Sequence, residues 1–140
     1  MPTDQLITML IGRLDEFTLA YIECALWSTN DESTPAGGEP LDTNYAVDSL
    51  TPETLESIAA DCKRFQEENA DDIAAGPDHP EYTAAAERAG HDFWLTRNGH
   101  GAGFWDGDWG DELGERLTAA CKKYGEVNLY VGDDGLIYSN

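Results

Sequence analysis

The sequence predicts an α+β domain in which about four helices pack on a small antiparallel sheet that includes a C-terminal hairpin. Three observations predict it. Apolar residues recur every three or four positions over residues 4–28 and 52–75. They alternate with polar ones over residues 127–131 and 136–138, around Gly132-Asp133-Asp134-Gly135. Short strand signals lie among and after the helical ones, as in helices packed on one sheet. At 140 residues the chain fits a single domain, residues 1–140, able to bury roughly two thirds of the surface of its unfolded form.

In the first helix, residues 4–28, the stripe Leu6, Leu10, Leu14, Phe17, Tyr21 and Cys24 is widened by Ile7, Ile11, Ile22 and Leu26. Thr3 is placed to cap it, and Asp4, Arg13, Asp15, Glu16 and Glu23 form its polar side. So broad an arc belongs to the central helix of the domain, or is partly covered by a second subunit in an isologous dimer. Residues 28–49 then lose periodicity around Pro35-Ala36-Gly37-Gly38-Glu39-Pro40. They are expected to form a long loop pinned to the core by Leu41, Tyr45, Val47 and Leu50.

Thr51-Pro52-Glu53 has the chemistry of a helix start: a hydroxyl cap, Pro in the first helical position and a carboxylate at the positive end of the dipole. Leu55, Ile58, Cys62, Phe65 and Ile73 mark the buried face, and Glu53, Glu56, Glu67, Glu68, Asp71 and Asp72 lie off it. Continuous over residues 52–75, this helix would be roughly 36 Å long, close to one turn of B-DNA at about 34 to 36 Å. Gly76-Pro77 ends it. Asp78-His79-Pro80-Glu81 opens a shorter helix that runs to Ala89 and stops at Gly90.

His91-Asp92-Phe93-Trp94-Leu95-Thr96-Arg97 reads as a strand, with Phe93 and Leu95 on one face and Trp94 and Thr96 on the other. A glycine-rich turn, residues 98–103, and an irregular aromatic and acidic stretch, residues 104–110, follow. Asp111-Glu112 begin a helix with Leu113, Leu117, Ala120, Cys121 and Tyr124 on its apolar line, and Lys122, Lys123 and Gly125 close it, so its charges complement its dipole.

Twenty-eight acidic residues face eight basic ones, a net charge of −20. That balance disfavours direct contact with nucleic acid or an anionic membrane and favours a cation or a basic protein. The acid is spread over the whole chain: residues 1–70 carry 14 acidic and 3 basic groups, residues 71–140 carry 14 and 5. A hydrophobic content of 41% with 10% aromatics is that of a folding chain, not of a disordered acidic tail. No run of about 18 apolar residues offers a membrane span. Met1-Pro2-Thr3-Asp4 lacks the basic start of a secretion signal, so the expected location is the cytoplasm. Cys24, Cys62 and Cys121 are odd in number and lie among apolar residues, as reduced core thiols do.

The segment running from Ala89-Gly90-His91-Asp92-Phe93-Trp94-Leu95-Thr96-Arg97 through Asn98-Gly99-His100-Gly101-Ala102-Gly103 to Phe104-Trp105-Asp106 resembles a group of small acidic proteins of tailed phages and related mobile elements. Leu113-Gly114, the Tyr130–Gly135 hairpin, Ala25-Leu26-Trp27 and Asn44-Tyr45 extend the resemblance over most of the chain. It implies a phage-type accessory protein acting in a bacterial host cytoplasm and carries over no catalytic residue. In size and charge the chain is also similar to antirestriction proteins that mimic DNA.

DNA bears one negative charge per roughly 1.7 Å of axis, so carboxylates held on rigid helices can occupy a basic cleft meant for it. The expected partner is therefore a basic nucleic-acid-handling or defence protein. The candidate contact residues are Glu53, Glu56, Glu67, Glu68, Asp71, Asp72, Asp106, Asp108, Asp111 and Glu112, with Trp105 and Trp109, at least one of which is expected to face a partner. Asp106, Asp108, Asp111, Glu112 and Glu115 supply oxygens enough for Ca²⁺ or Mg²⁺, but the EF-hand pattern fails at Gly110, Asp111 and Leu117. No metal or cofactor is expected. The alternative is a small enzyme or metal-dependent module in residues 91–115, built on His91, Arg97, His100 and Asp106 around the glycine-rich turn.

Overall fold

A computed structural model describes residues 2–35, 37–77, 85–106 and 109–140. The expected helix start at residues 78–81 and Asp108 lie outside the described residues. Among the described residues the architecture is α+β and mainly helical, with two small antiparallel sheets of two strands each.

The first predicted helix is two helices, α1 (Thr3–Ile11) and α2 (Glu16–Ser28). Asp15 makes the break. Its backbone is extended and its carboxylate accepts the Thr18 N–H at 2.9 Å, so a residue assigned to a polar helical face is instead the cap of a new helix. Thr3 is the first helical residue of α1 and makes no cap bond there. The broad apolar arc is α2's own: Phe17, Tyr21, Ile22, Cys24, Ala25 and Leu26 are buried on several sides of it. The chain's own elements cover that arc, α5 (Ala85–Arg97) above all, so no second subunit is needed for it.

Residues 28–49 are more ordered than a loop. β1 (Asn30–Asp31) and β2 (Glu39–Pro40) pair antiparallel, and two 3-10 turns, Leu41–Thr43 and Val47–Ser49, follow. Leu41 and Leu50 are buried and Tyr45 and Val47 half-buried, as expected of the pinning residues.

The helix at Thr51 starts as its sequence requires: the Thr51 hydroxyl accepts the Thr54 N–H at 3.1 Å and Pro52 opens α3 (Pro52–Glu68). It does not run to residue 75. Asn69, at φ −126° and ψ 23°, interrupts it before the short α4 (Ala70–Ala74). Seventeen residues of α3 span roughly 25 Å, so the match to a full turn of DNA is not made by one straight helix.

The predicted strand at residues 91–97 is helical, the second half of α5, and Gly90 lies inside that helix instead of ending it. Two physical causes hide this from the sequence. The helix is buried nearly all round, and three of its buried residues, Arg88, Asp92 and Arg97, are charged and break the apolar periodicity. Gly90 is there for close packing: a Cβ on it would stand 2.1 Å from the Phe17 carbonyl oxygen, so α2 and α5 meet backbone to backbone. Burial of Phe93, Trp94 and Leu95 stabilises that contact by about 1.5–3 kcal/mol each.

α6 (Asp111–Lys122) forms where expected, and β3 (Leu129–Val131) pairs antiparallel with β4 (Ile137–Ser139) in the expected hairpin. Gly135, at φ 79°, supplies the left-handed turn position, and its N–H donates to the Gly132 carbonyl at 3.0 Å. The hairpin is tied to the start of α3 by the Thr51 N–H, which donates to the Ile137 carbonyl at 3.0 Å.

The core is an aromatic chain. Phe65 stacks on Phe93 at 4.2 Å between centroids and on Phe104 at 5.9 Å, and Tyr21 meets Trp94 edge to face at 5.4 Å. Cys24, Cys62 and Cys121 are free and buried in it, as expected, and burial raises all three thiol pKa values, those of Cys24 and Cys121 to about 12. No helix of the described residues is long and apolar enough to cross a membrane.

Candidate functional site

The carboxylates predicted as contacts fall into two groups with different chemistry. On α3, the face opposite Leu55, Ile58, Cys62 and Phe65 exposes Glu53, Glu56, Glu67 and Glu68, and Asp71 continues it on α4. The side chains of Glu53, Glu56, Glu67 and Asp71 make no hydrogen bond or ion pair among the described residues, and neither does that of Asp111 at the start of α6. These are fixed by their helix and open to solvent.

The second group is already answered by the chain's own cations. Arg116 on α6 donates to both oxygens of Asp72, at 2.9 and 3.2 Å, and to Glu112 at 3.1 Å. Glu68 accepts the Tyr124 hydroxyl at 2.7 Å and lies 3.6 Å from Arg64. The Tyr124 bond, then the Arg64 and Lys123 charges, outweigh partial burial and hold the Glu68 carboxyl below its usual range. The Asp72–Arg116 pair thus braces α4 against α6, the Glu68–Tyr124 bond ties α3 to the segment just after α6, Glu112 is paired within α6, and all three carboxylates have less charge to offer a partner.

Trp105 and Trp109 separate cleanly. Trp105 is 54% exposed and lines a cleft of about 360 Å³ with Asp111, Glu115, Thr118 and Lys122. Trp109 is 2% exposed and cannot face a partner. Its indole N–H donates to Asp92, its ring lies edge to face with Phe104 at 5.2 Å, and a Cβ on Gly76 would run into it at 2.2 Å. Asp106 is exposed and accepts the Gly103 N–H at 3.3 Å.

The four residues of the alternative, enzymatic site are not brought together. Arg97 is in the core: Nε donates to the Gly125 carbonyl at 2.8 Å, one Nη to Tyr21 and Asp61 at 3.1 and 3.0 Å, and the other to the Tyr124 carbonyl at 2.9 Å. It ties α5 to α2, α3 and the end of α6. His91 lines one cleft and His100 another, where it packs on Trp94 at 6.5 Å. Among the described residues no three His, Cys, Asp or Glu side chains are grouped to hold a metal ion.

One surface feature lies outside the predicted set. Trp27, 49% exposed, and Glu23 share a face of α2, and with Asp42, Tyr45, Val47 and His91 they line a cleft of about 460 Å³. The sequence held no local signal for it: Trp27 lies three residues beyond Cys24, where the apolar stripe would continue into the core, and its exposure arises only in the folded chain.

Fold and surface together define an acidic, mainly helical α+β domain with helix-mounted carboxylates. No protein-family model, no curated protein and no solved structure matches the chain.

Proposed function

We propose that this protein is an interaction protein that binds a basic surface on another protein through the exposed carboxylates of α3 and α4, and thereby blocks that surface from nucleic acid. The observation that carries the reading is the row Glu53, Glu56, Glu67 and Asp71, unpaired among the described residues and held on helices in a chain of net charge −20. Helix-borne charge costs little further ordering on binding, which favours affinity as well as fast encounter. In this reading the partner is a nucleic-acid-handling or defence protein, as the DNA-like charge suggests, in a bacterial cytoplasm, as the resemblance to small acidic phage proteins implies. The interrupted α3 narrows the mimicry: α3 and α4 present a segment shorter than a helical turn of DNA, so a compact basic patch fits better than a long groove.

The test is capture from a bacterial lysate at low and high salt, with wild type beside the variant Glu53→Gln, Glu56→Gln, Glu67→Gln, Asp71→Asn. Wild type is expected to retain a basic nucleic-acid-binding protein that salt releases, to displace DNA from it, and to lose both properties in the variant. Retention of the same protein by the variant, or a captured protein whose DNA binding is unaffected, overturns the reading.

A further inference from the structure

We infer that the cleft between α2 and the 3-10 turn Leu41–Thr43 is a receptor for one arginine side chain of a polypeptide, inserted between Trp27 and Tyr45 and paired with Glu23 and Asp42. The inference deepens the proposed docking function and rests on it for the partner's basic character.

The chemistry of the lining selects the occupant. An exposed indole, a phenol ring and two carboxylates surround a hollow of about 460 Å³, and among the described residues no lysine or arginine lines it. Aromatic faces attract cations, Trp most strongly, and a planar guanidinium can stack on the ring while its N–H fork meets a carboxylate. His91, also in the lining, does not oppose this. Burial lowers its pKa in spite of Glu23 and Glu87, so the imidazole is neutral at pH 7 and leaves the local charge negative.

Both walls are fixed before any ligand arrives. Glu23 and Trp27 are one turn apart on α2, whose other faces are core. The opposite wall is tied down at Leu41, buried, whose N–H donates to the Thr29 carbonyl at 2.9 Å and whose carbonyl accepts the Tyr45 N–H at 2.9 Å. Among the described residues, the two other clefts that contain a tryptophan lack this combination. Exposed Trp105 shares its cleft with Lys122, which repels a cation, and Trp94 in the Ser28–Leu129 cleft is buried with its N–H bonded to the Ser28 hydroxyl at 2.7 Å.

The experiment is a titration of the protein with N-acetyl-arginine amide, followed by NMR through the four tryptophan indole N–H signals, Trp27 being assigned with Trp27→Phe. The expected result is a saturable shift of the Trp27 signal with a dissociation constant in the millimolar range, as for a single side chain, weakened about tenfold in Glu23→Gln/Asp42→Asn. N-acetyl-citrulline amide, flat but neutral, is expected to leave Trp27 unmoved. An equal shift with citrulline or with N-acetyl-lysine amide, an unmoved Trp27, or an unchanged response in the double variant overturns the inference. Each variant is read only with an unchanged thermal midpoint, and these surface positions leave the core intact. The outcome is separable from that of the docking reading: Glu53, Glu56, Glu67 and Asp71 are untouched here, so lysate capture can persist while the cleft stays silent, and the reverse.

Discussion

The two ends of α5 each bury an arginine, and the chain treats them in opposite ways. Arg97 has every nitrogen bonded, to Asp61, to the Tyr21 hydroxyl and to the Tyr124 and Gly125 carbonyls just past α6. Arg88, also buried, makes no hydrogen bond among the described residues, and its guanidinium lies 4.2 Å from the centre of the Trp109 ring. One end is held by directional bonds, the other by a cation on an aromatic face. The difference teaches where the molecule stores specificity: Arg97 selects one arrangement of α2, α3, α5 and α6, whereas the Arg88 end is filled by shape.

The contrast can be broken most forcefully at Arg97. Arg97→Ala leaves Asp61, Tyr21 and two carbonyls without their donor and is expected to cost about 3–5 kcal/mol in urea unfolding. A loss below about 1 kcal/mol would mean that the bonds are exchanged for water at no penalty. Between the two ends, Gly90→Ala pushes a methyl against the Phe17 carbonyl and is expected to cost about 1–3 kcal/mol by the same measurement, with α2 and α5 forced apart. At the other end, Arg88→Met keeps the packing on Trp109 and removes an unbonded cation, so stability should change by less than about 1 kcal/mol or rise. A loss as large as that at Arg97 would abolish the contrast.

The smallest effect belongs to His91, midway along the same helix. Its folded pKa is lowered, chiefly by burial, so below about pH 6.5 the unfolded chain binds the proton more readily and His91's stabilising contribution is lost as pH falls through the folded pKa. His91→Gln is expected to flatten the melting temperature between pH 7 and 5 relative to wild type, and an identical profile in the variant would remove His91 from the account.

Much of the fold was readable where one local rule acts alone. Thr51-Pro52-Glu53 caps α3 and Gly132-Asp133-Asp134-Gly135 closes the hairpin because backbone bonds there are satisfied by near neighbours, and Asp111-Glu112 start α6 because their charges suit its dipole. The rule failed where long-range packing decides. His91 to Arg97 alternates like a strand, yet the closeness that Gly90 allows to Phe17 makes helix the better burial. Asp15 is a favoured cap residue, but the apolar stripe runs unbroken across it and predicts one continuous helix.

The proposed contact surface was legible in part for a related reason. Glu53, Glu56, Glu67 and Asp71 keep the exposure that periodicity assigns them, since a solvated helix face follows from the buried one. Glu68 meets Tyr124 and Asp72 meets Arg116 only through folding, and nothing in their local sequence announces it, whereas Glu112 pairs with Arg116 one turn along α6, a spacing visible in the sequence. Trp27's cleft depends on residues from α2, the 3-10 turn region and α5 together, a juxtaposition that exists only in three dimensions.

The cysteines give the molecule built-in reporters. Cys24, Cys62 and Cys121 stand on α2, α3 and α6, one thiol to each of three packed helices, all shut away from reagents. An alkylating agent reaches each one only when its own helix lifts, so the order in which the three are tagged reads out the sequence of events by which this acidic domain comes apart.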